Sequence, residues 1–312
     1  MSADTIFRQT FTTTVSQFVE EISNHPDIST FTFVLLAFLL VLVVFQEIAK
    51  FMLTGFDAES IINTTFMTFL SIGIWVGYAP MMQELIDFAD KLGLLFLRLG
   101  TGNSDPFFLF KWVTHSLKYM HGEEVSLWDM SIGDLLYAAL WYVVAFCLAL
   151  CMYFIGAWAI WTLALAKVLA LVFVPFLMHP GTRFLFDGFV KFFLGSVVLL
   201  FVLRATGVLV ALGIKAQFAA MGAIQCGHVT NFAACTWKVR NTHGGGYQDL
   251  GDAIVTVLCG VLLILSSMGL SAALVSGMAS PSRAASSGVG MATKKALQAE
   301  GVAKLVSKFK GG

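Results

Sequence analysis

The chain has 312 residues, 58% of them hydrophobic and 12% charged, with 19 Lys plus Arg against 19 Asp plus Glu and a mean hydropathy of +0.82. Soluble domains carry about 25% charged residues and already leave much apolar area exposed, so a soluble fold of this size would have to hide more apolar surface than its interior holds. These numbers exclude a soluble enzyme, a secreted disulfide scaffold and a disordered chain, and the zero net charge excludes a bulk basic footprint for nucleic acid. The composition predicts an all-α, polytopic helical membrane protein with about five transmembrane helices.

In chain order, residues 1–30 hold Arg8, Glu20, Glu21 and Asp27 with no unbroken apolar run, which reads as no cleavable signal peptide. Ile6, Phe7, Phe11, Val15, Phe18, Val19 and Ile22 recur at helix-like spacing. They predict an amphipathic helix that lies on the membrane surface or packs on a neighbour. Residues 31–82 read as a two-span hairpin. Phe31 to Phe45 is almost purely apolar and ends at Glu47 and Lys50, and the second span, 61–82, starts at the polar Asn63, Thr64 and Thr65. Residues 83–134 read as an extracytoplasmic amphipathic loop.

Residues 135–212 are expected to form the central long span and a fourth span. Positions 135–166 are 32 residues without a charge, and after Lys167 the apolar run resumes to Met178. As one helix, 32 residues extend ~48 Å, beyond a ~30 Å hydrocarbon core. The reading is one long, tilted or kinked helix that projects past the bilayer and breaks near Pro175 or Pro180, over two short spans turning at Gly156. Its surplus apolar length calls for protein neighbours, hence a homo-oligomer. The fourth span runs from about Phe192 to Leu212 and carries Arg204. Residues 213–253 read as a second extracytoplasmic loop, 254–275 as the fifth span, and 276–312 as a small-residue linker and basic cytoplasmic tail.

Cytoplasmic connections are enriched in Lys and Arg. With five spans, 46–60, 179–191 and 280–312 hold nine Lys/Arg in 61 residues, whereas 1–30, 79–134 and 213–252 hold eight in 126. This puts the N-terminus outside and the C-terminus inside. A six-span arrangement would turn 79–134 inward, against the charge pattern.

Cys147, Cys151 and Cys259 lie in apolar spans and read as small buried hydrophobes. Cys226 and Cys235 flank CGHVTNFAAC in the second loop. A disulfide suits a loop that lacks a core. A zinc site using Cys226, His228, Cys235 and His243, or two free thiols, are the alternatives.

No GxxxxGK[ST], HExxH or GxSxG occurs, so no enzyme activity and no cofactor are expected. Ionisable residues inside spans suggest function by default. Lys167 either snorkels to the interface or serves a pathway. Arg204, with no acid within four residues, must meet water, a carbonyl or a neighbouring chain. Arg183, Asp187 and Lys191 are four apart and can make ion pairs along a helix, either as a solvated face or as a subunit contact. Lys294, Lys295, Lys304 and Lys308 in the tail attract anionic membrane lipid or dock a cytoplasmic partner.

The stretch KVLALVFVPFLMHPGTRFLFDGFVKFFLGSVVLLFVLRA, 167–205, resembles the core of the TrbL-type family, the polytopic inner-membrane subunit of type IV secretion systems and the sixth VirB-type component. The resemblance rests on Lys167, an apolar run ending at Pro175, then Thr182, Arg183 and Phe184, and an aromatic-rich helix start with Phe189 and Lys191 before a long apolar span. It covers about 40 residues as a motif, and the layout of spans around it also fits. It implies a multi-pass protein of the bacterial inner membrane that oligomerises as a channel or assembly platform. It further implies a machine that moves DNA or protein as transient cargo and builds a pilus. The implied partners are the pilin, a minor pilin, bitopic scaffold proteins and cytoplasmic ATPases. The competing reading is a stand-alone secondary transporter or small channel, whose paired repeats and broken helices are not found in the first half.

Overall fold

The computed structural model describes residues 13–15, 17–22, 24–103, 105, 108–119, 132–222, 224–226, 232, 235–237, 248–278, 280–282 and 291. The helices are α1 (Pro26–Thr54), α2 (Ala58–Thr101), α3 (Phe108–Tyr119), α4 (Ile132–Phe173), α5 (Arg183–Ala220) and α6 (Gln248–Ser276). A 3₁₀ turn, Val174–Leu177, follows α4, and two three-residue strands, β1 (Ile224–Cys226) and β2 (Cys235–Trp237), separate α5 from α6. All the helices except α3 are long and apolar enough to cross a membrane, and the protein is a multi-pass membrane protein of almost wholly helical build. In the N-terminal segment, residues 17–22 are helical, with Val19 buried while Phe18 and Glu20 are exposed.

Three helices are far longer than a bilayer requires. α2 has 44 residues, α4 has 42 and α5 has 38, so at 1.5 Å per residue each extends roughly 57–66 Å. The expected single long central helix is present as α4, and it ends at the turn containing Pro175. Proline lacks an N–H and its ring crowds the preceding turn, which halts α-helical bonding there.

The helix bounds differ from those drawn on charge. The second span does not end at 82: α2 runs through Pro80 to Thr101, so residues 83–101 are helix and not loop. Glu84, Asp87, Asp90, Lys91 and Arg98 read as part of an amphipathic loop, but the apolar residues among them keep a helical period, and Ala89 and Leu97 are buried. α2 stops at Gly102, whose positive φ of 73° suits a residue without Cβ and whose N–H returns to the Arg98 carbonyl at 2.8 Å. α5 likewise runs past the expected 212 to Ala220, which carries Lys215 from the expected loop into a helix.

Two compact units divide the chain. The first comprises Met1–Glu84, Trp161–Leu194 and Val275–Gly312; the second comprises Leu85–Ile160 and Gly195–Leu274. Among the described residues, the first has two small cores. In one, Leu36, Leu39 and Val43 of α1 pack with Met178. In the other, Met67 of α2 packs with Val174, Leu177 and Phe186. Its α1–α2 hairpin is closed by Glu47. Oε1 accepts from Lys50 Nζ at 2.8 Å and Thr64 Oγ1 at 3.0 Å, and Oε2 accepts from Ser60 Oγ at 3.2 Å. Asp57 caps α2 by accepting the Glu59 N–H at 3.1 Å.

The second unit has one large core. Trp141, Leu148 and Ile155 of α4, seven residues apart, are fully buried against Ile214 and Phe218 of α5 and Val257 and Ile264 of α6. Such spacing keeps one stripe of a helix on its neighbours. In lipid, where tails are as apolar as leucine, helices associate through close packing and hydrogen bonds more than through water exclusion. Half of the most apolar stretch of α5 is buried inside the protein, against 11% of that of α2.

Candidate functional site

The stretch 167–191 folds, within the first unit, as a tied reversal between α4 and α5. The 3₁₀ turn leaves backbone carbonyls without helical partners, and nearby side chains take them up. Thr182 Oγ1 donates to the Phe176 carbonyl at 3.0 Å and the His179 carbonyl at 3.1 Å. Arg183 Nε donates to the Leu177 carbonyl at 3.1 Å, and the Gly181 N–H donates to His179 Nδ1 at 3.1 Å. From α2, the fully buried Ser71 donates its hydroxyl to the Val174 carbonyl at 3.2 Å. Pro175 is buried, and Phe173 stacks on Phe189 with ring centroids 5.9 Å apart.

Each ionisable candidate in this unit has its own place. Lys167 Nζ donates to Gln83 Oε1 at 2.6 Å. Asp187 accepts at both carboxylate oxygens from Ser282, the backbone N–H at 2.9 Å and the hydroxyl at 2.7 Å. This ties α5 to the segment after α6. Lys191 is half-buried on α5. The expected ion pairs along Arg183, Asp187 and Lys191 do not close within 4 Å. Arg183 turns back to a turn carbonyl and Asp187 is committed to Ser282, so the four-residue spacing permits a pairing that a local carbonyl and one distant serine outcompete.

In the second unit, Arg204 lies on the seam between α2 and α5. Its Nη1 donates to the Asp90 backbone carbonyl at 2.7 Å, and its Nη2 forms a salt bridge with Asp90 Oδ1. The Arg204 side chain is 14% exposed. Its partner lies 114 residues earlier, in the region read as a loop. The seam accommodates this because Gly93 faces the Arg204 side chain and Gly100, seven residues on, faces Val208. A Cβ at Gly93 would stand 2.6 Å from Arg204 Cδ. Phe96 meets Phe201 edge-on at 5.2 Å between them. Small residues at such positions let two helix backbones approach.

The last part of α5 and the connection after it hold residues that sequence reasoning missed. Lys215 is 5% exposed, with its ammonium 4.4 Å from the Phe232 ring centroid. Phe232 is itself buried. It meets Trp112 edge-on at 4.7 Å and Phe108 at 5.9 Å, and its N–H donates to the Thr101 carbonyl at 3.2 Å. β1 and β2 pair antiparallel, with Cys226 opposite Cys235. Cys235 is disulfide-bonded, whereas Cys147, Cys151 and Cys259 are free. A disulfide-bonded Cys235 leaves no thiolate there for zinc; His228 and His243 lie outside the described residues. Among the described residues no group of three or more His, Cys, Asp or Glu could hold a metal ion.

Sequence spacing found the turn because proline and threonine act locally. It missed Asp90, Lys215 and Phe232, whose roles arise from pairings across the fold. The seven-residue recurrence of Gly93 and Gly100 in an apolar helix was the one signal that marks the seam. Lys294, Lys295, Lys304 and Lys308 lie outside the described residues. Compared with protein-family models and with curated proteins, the chain matches none.

Proposed function

We propose that this chain is a non-enzymatic channel or assembly-platform subunit of a type IV secretion system, resident in the bacterial inner membrane. In this reading its N-terminus is outside and its C-terminus inside. It supports translocation of DNA or protein and pilus biogenesis. Its partners are further copies of itself, pilin and minor pilin, bitopic scaffold proteins and the cytoplasmic ATPases.

The observation that carries the reading is the stretch 167–205. Among the residues that resemble the TrbL-type core, Pro175 sits in the tied turn, Thr182 and Arg183 hold its carbonyls, and Phe189 stacks on Phe173 before it. The long helices add support: an apolar face of about 60 Å exceeds what lipid tails cover and is suited to neighbouring subunits.

Gene deletion tests the reading. A clean deletion strain is expected to lose conjugative transfer or effector delivery and to recover it on complementation. Wild-type transfer in that strain overturns the proposal. Orientation is tested separately with a membrane-impermeant thiol reagent, which is expected to reach Cys226 or Cys235 in intact cells after mild reduction. Labelling only in permeabilised cells inverts the topology.

A further inference from the structure

The outer face of α1 is patterned. Phe31, Val34, Phe38, Val41, Phe45 and Ile48 follow one another at alternating steps of three and four residues and are 48–69% exposed. On a helix they lie opposite Leu36, Leu39 and Val43, which pack inward. Phenylalanine recurs every seven residues, with a β-branched residue after each. Lipid tails cover an apolar face whatever its register, whereas a seven-residue seam is what a packed neighbouring helix requires. The outer face of α2 carries a second such row. Ile62, Phe66, Phe69, Gly73, Val76 and Pro80 are all exposed, and a Cβ at Gly73 would meet nothing within 4 Å.

The bonds of the hairpin set the two rows level. Joined by the short link at Gly55, α1 and α2 run antiparallel with the same rise per residue, and Glu47 meets Thr64 at 3.0 Å. Nine residues back from Glu47 is Phe38, and nine residues on from Thr64 is Gly73. Counted the same way, Phe31 is level with Pro80 and Phe45 with Phe66. Val34, Val41 and Ile48 fall within one residue of the levels of Val76, Phe69 and Ile62. Copies in one bilayer share direction and depth, because flanking charge and apolar length fix them. The α1 of one copy therefore meets the α2 of the next antiparallel and in this same register. The bulky Phe38 then faces the smallest residue of the other row, a knob before a hole. Together the rows present on the order of 1,000 Å², enough for a specific interface.

We propose that a second copy of this chain docks here, the outer face of α1 on the outer face of α2, with Phe38 of one copy seated over Gly73 of the next. The contact is head-to-tail: each copy offers a different face to each neighbour, and successive copies add into a ring or a row. The proposal rests on the reading of the chain as a self-associating membrane subunit and supplies the surface through which it associates.

The test is thiol cross-linking in native membranes, with full-length chains whose free cysteines Cys147, Cys151 and Cys259 are replaced by alanine. Two differently tagged chains are co-expressed, one with Phe38→Cys and the other with Gly73→Cys, and oxidised with copper phenanthroline. A disulfide-linked mixed dimer is expected, as it is for Ile48→Cys with Ile62→Cys. Phe38→Cys with Ile62→Cys, roughly 16 Å out of register, is expected to give none. If Phe38→Cys joins its own kind more than it joins Gly73→Cys, the contact is α1 on α1 and the proposal is overturned. Absence of mixed product in both matched pairs overturns it too and leaves lipid or another protein on the face. In Gly73→Leu the new Cβ meets nothing in its own chain, so helical circular dichroism is expected to stay unchanged. The cross-link between Ile48→Cys and Ile62→Cys should then fall about tenfold or more, because the added side chain overpacks the seam. An undiminished cross-link in Gly73→Leu overturns the proposal. Conjugative transfer in the deletion strain is a separate readout. A cross-link with wild-type transfer keeps this interface and refutes the secretion reading, and lost transfer without a cross-link does the reverse.

Discussion

The turn at Val174–Arg183 and the seam between α2 and α5 both place polar groups among apolar side chains, and they satisfy them differently. At the turn, carbonyls freed by the 3₁₀ geometry are taken up by several donors, and the Thr182 and Arg183 bonds reach back only three to six residues. The seam has one guanidinium, one carboxylate 114 residues away, and two glycines that let the helices meet. Redundant local bonding tolerates the loss of any one member. A single long-range pair wedged between close backbones does not.

That contrast can be broken most sharply at the seam. Arg204→Leu removes the partner of a half-buried carboxylate. Fully buried pairs cost ~3–5 kcal/mol to break, and with Asp90 38% exposed the loss is expected to be about 2 kcal/mol. It should appear as a lowered thermal midpoint in detergent. A double-mutant cycle with Asp90→Leu should show strong non-additivity. Loss of transfer with an unchanged midpoint would instead assign Arg204 to a pathway. Gly100→Ala comes next. Its new Cβ would collide with Val208 Cγ1 on α5, and overpacking of this kind costs ~1–2 kcal/mol. An unchanged midpoint would mean the helices separate freely.

At the turn the expected effects are smaller. Thr182→Val removes the hydroxyl bonded to two carbonyls and is expected to lower stability by about 1 kcal/mol. Ser71→Ala removes one hydroxyl bond to Val174, worth ~0.6 kcal/mol within a membrane protein. The two share no residue, and near-additivity in the double variant would confirm that the turn's bonds act independently. A combined loss well above their sum would make the turn a cooperative unit and erase its difference from the seam.

The same distinction explains how much was legible beforehand. Glu47 and Lys50 ended one span and Asn63, Thr64 and Thr65 opened the next in sequence; the fold joins two of these groups directly, as Glu47 bonds both Lys50 and Thr64. The expected loop at 83–134 failed over its first part because charge was read as exposure. An amphipathic helix carries Asp90 inward to a partner and Lys91 outward on neighbouring positions. Lys215 was missed for the related reason that it falls just past the fourth span drawn to Leu212 and so reads as part of a loop, whereas α5 runs on and Phe232 covers it.

Composition and periodicity alone determined that the chain is a multi-pass membrane protein with about five helices long and apolar enough to cross a membrane, that its central helix is unusually long, and that it breaks near Pro175 or Pro180. Those features follow from hydrophobic length and from the geometry of proline, which act over a few consecutive residues whatever surrounds them. Only the tertiary structure decided which charges are paired, that α2 continues to Thr101, and that an aromatic ring caps Lys215. Helices in an apolar medium are chosen as partners by close packing and by the need to satisfy each buried polar group, and that choice joins residues more than a hundred positions apart.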